Sequence, residues 1–273
     1  MKSNGWIVSS TKLLQEADVD TARLDTLVLL SDVTGKDRTH LLAHPEIELS
    51  NEQLNQLQKL LNRRVKHEPL AYIRRKSEFY GREFAVNKYV LEPRPESETI
   101  IQLLKNVSLE QNIRTVIDVG TGSGALAVTA KLELPKAKVF GIDIDQNCLK
   151  VAKTNAQKHE VDIEFLQGNL FEPIFNQKID DPITILANLP YVPDGYQINE
   201  AATHEPKLAL FGGVDGLDLY RTMFQQLNEH LNQPTIVLTE ALPSQHHELA
   251  NIARAQNYIQ IAKDDFIQVF SNS

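Results

Sequence analysis

One cysteine, Cys148, occurs in 273 residues. That excludes an internal disulfide and a cysteine-built metal cluster. The histidines have no ligand spacing around them, so His246 and His247 are expected at the surface and no metal site is expected. No apolar run reaches the roughly 20 residues needed to span a bilayer. The segment Met1-Lys2-Ser3-Asn4-Gly5-Trp6 lacks the long apolar stretch of a secretory leader. No membrane partner is therefore expected, and the cytoplasm is the expected location. A basic excess is missing too: 28 Lys and Arg stand against 36 Asp and Glu, a formal net charge of −8. Proteins that grip long nucleic acid carry a basic face, so a nucleic-acid partner is not expected. The densest basic stretch, Arg63, Arg64, Lys66, Arg74, Arg75 and Lys76, reads as a solvated face.

The composition that is present, 42% hydrophobic and 23% charged, is that of a globular protein. The length suits two unequal domains. We expect a helical domain over residues 1–76, a β-hairpin linker over 77–93 and an α/β domain over 94–273. In the first, Asp20 can cap a helix carrying Leu24, Leu27, Leu29 and Leu30. Ser50 and Gln53 form a capping-box pattern ahead of Leu54, Leu57, Leu60 and Leu61. Glu78 to Val86 reads as two short strands around Gly81. Beyond that, apolar strands alternate with helices. The strands are Val116 to Val119, Val139 to Asp143, Ile163 to Leu166, Ile183 to Leu186 and Ile236 to Thr239. Tyr258 to Ala262 and Phe266 to Phe270 make a closing pair. This alternation predicts a mainly parallel sheet covered on both faces.

Gly120-Thr121-Gly122-Ser123-Gly124-Ala125 lies between a predicted strand and a predicted helix. Glycines let the backbone turn sharply and approach a ligand. The helix start supplies free N–H groups and partial positive charge. Asp143 ends the next strand, 19 residues past Gly124, near the spacing of an acid that binds ribose hydroxyls. Together they point to an adenosine-containing cofactor, without separating S-adenosylmethionine from a dinucleotide. Asn169 and Leu170 follow the third strand, where they could contact an adenine ring.

Asn188-Leu189-Pro190-Tyr191 follows the fourth strand. Ligands of open α/β sheets bind beyond the carboxyl ends of strands, so this segment shares a crevice with the glycine loop. Its groups suit a planar amino nitrogen. The Asn188 side-chain oxygen can accept one N–H and the Leu189 carbonyl the other. Such bonds orient a weak nucleophile and favour the charge that develops on it. Tyr191 can pack on a planar substrate or hold it through its hydroxyl.

Over nearly its whole length the chain resembles the HemK/PrmC-type release factor glutamine methyltransferases. The stretches carrying the resemblance include Ala22-Arg23-Leu24-Asp25, Glu68-Pro69-Leu70-Ala71-Tyr72-Ile73, Glu78-Phe79-Tyr80-Gly81 and Val116 to Gly124. Pro93-Arg94-Pro95-Glu96-Ser97-Glu98 is similar to the family's Pro-Arg-Pro-Glu-Thr-Glu. Glu205-Pro206-Lys207-Leu208-Ala209-Leu210-Phe211-Gly212-Gly213 and Asp215-Gly216-Leu217-Asp218 look like its downstream signature. The resemblance implies an α/β fold: a Rossmann-like class I methyltransferase domain with a seven-stranded sheet, behind a helical domain that helps dock the release factor. It implies S-adenosyl-L-methionine held by Asp118, Gly120, Thr121, Gly122, Ser123, Gly124, Asp143, Asn169, Leu170 and Asn188. It implies that Asn188, Leu189, Pro190 and Tyr191 hold the glutamine of a Gly-Gly-Gln loop.

Some positions depart from the family. Leu189 replaces a proline, which removes a fixed φ from the turn. Glu92 stands where an apolar residue is usual, Asn169 where aspartate is common, and Glu240-Ala241-Leu242 lacks a glycine after the glutamate. Asn-Leu-Pro-Tyr is also the form seen in ribosomal RNA adenine dimethyltransferases. Three alternatives stay open: a ribosomal-protein glutamine, an adenine amino group of RNA or DNA, and a non-catalytic binding module. Glu96 and Glu98 either complement a helix dipole behind Pro95 or line the substrate channel.

Overall fold

The computed structural model describes residues 1–175, 177, 179, 182–231 and 235–272. The chain divides into two compact units, Met1–Arg75 with Asn199–His204, and Lys76–Ile198 with Glu205–Ser273.

The first unit contains helices α1 (Ser3–Glu16), α2 (Ala22–Thr34), α3 (Arg38–Ala43), α4 (Asn51–Arg64) and α5 (Leu70–Arg74). Trp6, Leu29, Leu30, Leu41, Leu57 and Ile73 are buried together in its core. The capping box forms: Gln53 N donates to Ser50 Oγ at 3.1 Å and Ser50 N to Gln53 Oε1 at 3.0 Å. Asp20 caps nothing. Asp18 takes φ 54°, and α2 starts after Thr21, whose side chain makes no capping bond. Leu24 is 46% exposed, because the buried stripe of α2 runs through Ala22, Thr26, Leu29 and Leu30. The basic stretch is not simply a solvated face. Arg64 Nε donates to the buried Asp25 at 2.6 Å, Arg63 Nε to Glu68 at 2.7 Å and Arg74 Nε to Asp32 at 2.6 Å.

The second unit opens with a hairpin, β1 (Lys76–Phe79) and β2 (Arg82–Ala85). Tyr80 at φ 52° and Gly81 at φ 68° turn it, the left-handed pair of a type I′ turn. This segment, expected as a linker, packs into the unit: Phe79 and Phe84 are buried with Ile100 and Leu104. A 3-10 turn at Pro95–Ser97 leads into α6 (Glu98–Glu110).

Strands β3 (Thr115–Val119), β4 (Lys138–Asp143), β5 (Glu164–Gln167), β6 (Ile183–Ala187), β7 (Thr235–Glu240), β8 (Ile259–Asp264) and β9 (Ile267–Ser271) form one sheet. Its order is β5-β4-β3-β6-β7-β9-β8. The first five run parallel and β9 is antiparallel to both neighbours. The β8–β9 pairing shifts register between Gln260 and Ala262.

Helices α7 (Ala125–Glu133), α8 (Gln146–Lys158), α9 (Asp218–His230) and α10 (His246–Ala255) complete the unit. Successive strand residues face opposite layers. Ile117 and Ile185 pack with Tyr220 and Phe224 of α9, and Val116 and Leu186 with Ile100 of α6 and Ala127 of α7. The chain winds from β3 outward through β4 and β5, then returns to place β6 on the other side of β3. The order reverses there, and ligands of open α/β sheets bind at the carboxyl ends flanking such a point. Among the described residues no helix is long and apolar enough to cross a membrane. His247 is exposed and His246 half-buried.

Candidate active site

A cavity lies at the carboxyl ends of β3, β4 and β6. Gly120 to Ser123, Asp143, Asn169, Leu170, Asn188, Leu189 and Pro190 line it. Gly120 N and Thr121 N both donate to Ile142 O, at 2.8 and 2.9 Å, which folds the loop back over β4. Gly120 has φ 72°, and a Cβ there would meet Leu189 Cδ2 at 3.0 Å. A side chain at residue 120 would therefore strain the loop and crowd the Leu189 side chain.

Asp118 braces this loop from below. It is buried and accepts Thr121 Oγ1 at 2.6 Å and Ala127 N at 3.1 Å. Burial, with the nearby Asp143 charge adding, pushes its carboxyl up to about 7. Asp143 accepts Gly122 N on one oxygen and Asp145 N on the other, both at 2.9 Å. Burial raises its carboxyl, and these backbone bonds oppose the rise. Each carboxylate oxygen keeps a further lone pair. Asn155 of α8 fastens the hairpin to the loop, donating to Ser123 O and Ala85 O and accepting from Ala85 N.

Asn188 is the first residue beyond β6. Its Nδ2 donates to Ser97 Oγ at 2.8 Å, and Ser97 donates to Glu240 Oε2 at 2.6 Å. Tyr191 turns its hydroxyl to Glu240 Oε1 at 3.0 Å. Leu189 N donates to the Tyr220 hydroxyl at 3.2 Å, and that hydroxyl donates to the Glu240 carbonyl. Burial raises the Glu240 carboxyl, while the Ser97 and Tyr191 hydroxyls and the Asn188 side chain oppose the rise. Burial also raises the Tyr191 phenol, with the Glu240 charge adding. Behind the turn, Gly212 admits the Pro190 carbonyl, which a Cβ would meet at 2.2 Å. Gln245 Nε2 donates to Tyr191 O at 2.8 Å.

Ser97, Tyr220 and Glu240 were not singled out as site residues from the sequence. Ser97 and Glu240 fall in motifs that carry the resemblance or depart from it. An acid closing the apolar run of β7 was itself a signal. Tyr220 gave none. Glu98 accepts Tyr80 N at 2.7 Å, so its carboxylate fixes the hairpin. Glu92 accepts the Ser77 hydroxyl at 2.9 Å. Arg94 pairs with the buried Glu205.

The donor set fits an adenosine cofactor. Asp143 offers carboxylate lone pairs, the glycine loop brings its backbone to the cavity wall ahead of α7, and Leu170 and Ile144 offer apolar surface in the same cavity. A Rossmann-like sheet of this order, with the glycine loop and an Asn-x-Pro-Tyr turn at its switch point, defines a class I methyltransferase that uses S-adenosyl-L-methionine. The PrmC N-terminal domain family matches residues 6–74 and the Methyltransferase small domain family matches residues 97–205.

The chain belongs to the release factor glutamine methyltransferase family. It is 37% identical over 223 residues to the release factor glutamine methyltransferase of Geobacter sulfurreducens, covering 80% of this chain and 76% of that one. It is 32% identical over 281 residues to a bifunctional methyltransferase of Rickettsia bellii, covering 90% of this chain. The chain spans about half the length of that relative, 49%. Among solved structures, the hMettl16 catalytic domain in complex with an RNA hairpin shares the fold. The TM-score is 0.54 at 11% identity, covering 84% of this chain and 83% of that one.

Proposed function

We propose that this protein methylates the side-chain amide nitrogen of the glutamine in the Gly-Gly-Gln motif of a peptide chain release factor. The observation that carries this reading is the placing of Asn188 in one cavity with Asp143 and the glycine loop. When bound, S-adenosyl-L-methionine supplies an electrophilic methyl carbon. Asp143 holds the ribose hydroxyls, and Gly120 to Gly124 accommodate the amino-acid end. Asn169 and Leu170 flank the adenine. Asp118 keeps the loop in shape from beneath.

Asn188 Oδ1 accepts one N–H of the substrate amide and the Leu189 carbonyl accepts the other. This holds the nitrogen toward the methyl group and favours the positive charge it acquires. The methylated nitrogen is then acidic enough to release its proton without a strong base. Pro190 stiffens the turn, and Tyr191 anchors it through Glu240. The helical unit, residues 1–75 with 199–204, docks the body of the release factor.

The ion pairs Arg63–Glu68, Arg64–Asp25 and Arg74–Asp32 support a protein substrate, since they neutralise much of the densest basic stretch. The test is to incubate the purified protein with S-adenosylmethionine and a release factor, with ribosomal RNA and ribosomal proteins as controls, and map the methyl group by mass spectrometry. One methyl group on the Gly-Gly-Gln glutamine is the expected result. Label confined to RNA adenine or to a ribosomal protein overturns the proposal.

A further inference from the structure

An amide side chain presents an oxygen at one end and an NH2 group at the other, and little separates the two by shape. The function proposed for Asn188 needs the oxygen toward substrate. We propose that Glu240, acting through Ser97, is the positioning group that fixes this orientation. The proposal rests on the glutamine-methylation reading for its consequence, and on the geometry alone for its premise.

The premise follows from counting protons. Glu240 is fully buried at the end of β7. Ser97 Oγ lies 2.6 Å from Glu240 Oε2 and Tyr191 OH lies 3.0 Å from Oε1. Burial raises the Glu240 carboxyl, but three side-chain donors favour its ionised form; in that form it only accepts, so both hydroxyls spend their single proton on it. Ser97 Oγ can then only accept from Asn188, 2.8 Å away. The atom that Asn188 turns to Ser97 is therefore its NH2 group, and the oxygen is left at the cavity side. Ser97 and Asn188 both line the cavity, and Glu240 stands behind them, meeting Asn188 through the Ser97 hydroxyl and by a weaker direct side-chain bond. Its charge is converted into a direction.

A group at residue 240 that both donates and accepts breaks this logic. In Glu240→Gln the amide can donate to Ser97, whose hydroxyl then donates to Asn188. That turns the Asn188 NH2 group toward the substrate, where two donors oppose each other. Ser97→Ala removes the hydroxyl that accepts the Asn188 NH2 group and leaves the Glu240 carboxylate as its remaining partner, which loosens the amide. Ser97→Thr keeps a hydroxyl in place.

The test combines methyl transfer to a release factor with a ¹⁵N-edited spectrum of the Asn188 side-chain NH2, assigned by its loss in Asn188→Asp. Glu240→Gln and Ser97→Ala are expected to lower kcat about 10- to 100-fold. The Kd for S-adenosylmethionine stays within about twofold, since neither change removes a contact to the cofactor. Ser97→Thr is expected to restore kcat. In the spectrum, the Asn188 proton bonded to Ser97 shifts or splits in both damaging variants and not in Ser97→Thr.

Unchanged Asn188 signals in Ser97→Ala, or a kcat there equal to the parent's, overturns the positioning role. A uniform fall in kcat and cofactor affinity does the same, because it reports structural damage. If the signals respond as expected while the parent transfers no methyl group to the release factor, the orientation stands and the glutamine reading falls. Should Glu240→Gln not fold, Ser97→Ala decides alone, because Glu240 keeps the Tyr191 hydroxyl in that variant.

Discussion

The backbone N–H of Leu189 donates to the Tyr220 hydroxyl at 3.2 Å. A proline at residue 189 would have no N–H to place there. Leucine brings a buried donor into the turn, and α9 supplies the acceptor. The rigidity lost with a fixed φ is thus replaced by a hydrogen bond and by burial of the Leu189 side chain. Tyr220→Phe is expected to destabilise by roughly 1–3 kcal/mol, the cost of an unsatisfied buried N–H. In a Leu189→Pro background that cost falls by about 1 kcal/mol, because the orphaned donor is gone. Denaturant unfolding of the four proteins measures the coupling, and strict additivity would show that the bond carries none.

Asn188→Ala removes the proposed acceptor of the substrate N–H. Turnover on the release factor is expected to fall roughly 10²- to 10³-fold, the scale for one lost transition-state contact. Cofactor affinity by calorimetry should hold. Persistent activity would remove Asn188 from the role assigned to it.

Asp143→Ala takes away the proposed ribose acceptor and the bonds to Gly122 N and Asp145 N. Binding of S-adenosylmethionine is expected to weaken by roughly 1–3 kcal/mol. Titration calorimetry without any substrate reads this, so it stands apart from the identity of the methyl acceptor. An unaltered Kd would place the ribose elsewhere.

Asp118 gives the fold a pH dependence of defined sign. Its folded carboxyl sits at about 7 against an ordinary 3.8. Between those values the folded chain holds a proton that the unfolded chain releases. The stabilisation is complete below the ordinary value and is lost as pH rises through about 7. Asp143, Glu205 and Glu240 shift in the same direction. Tm is therefore expected to fall between pH 5 and pH 8. Asp118→Asn keeps an oxygen for Thr121 and Ala127 N and removes this group's share of the slope. The Asp143 carboxylate is the charge facing Asp118, so it sets how sharply the slope appears. A slope unchanged in Asp118→Asn would contradict the assignment.

Much of the sheet was legible because β3, β6 and β7 are buried along their whole length and so read as β-branched and mainly apolar runs. The Ser50–Gln53 capping box was legible because its partners are three residues apart. Asp20 and Leu24 misled because the turn before α2 is made by backbone at Asp18 and Thr21, which no side-chain pattern announces. At the site, Gly120 to Gly124 and Asn188 to Tyr191 were visible as contiguous runs. The bonds from Ser97 to Asn188 and to Glu240 span 91 and 143 positions. They exist only because the sheet order brings β6 and β7 together behind the start of α6.

The register shift in β8 bears on what the outer edge of the sheet offers to other chains. An open sheet offers unpaired backbone along both outer strands, a template for further strands. The β5 edge is only four residues long and exposes Glu164. The β8 edge is longer and leaves Ile259 and Ile261 in solvent, an adhesive pairing if it lay flat. The irregularity between Gln260 and Ala262, followed by Lys263 and Asp264, bends and charges that edge. Deleting one residue to straighten it would trade an irregular, charged rim for a flat one able to pair with strands from other chains.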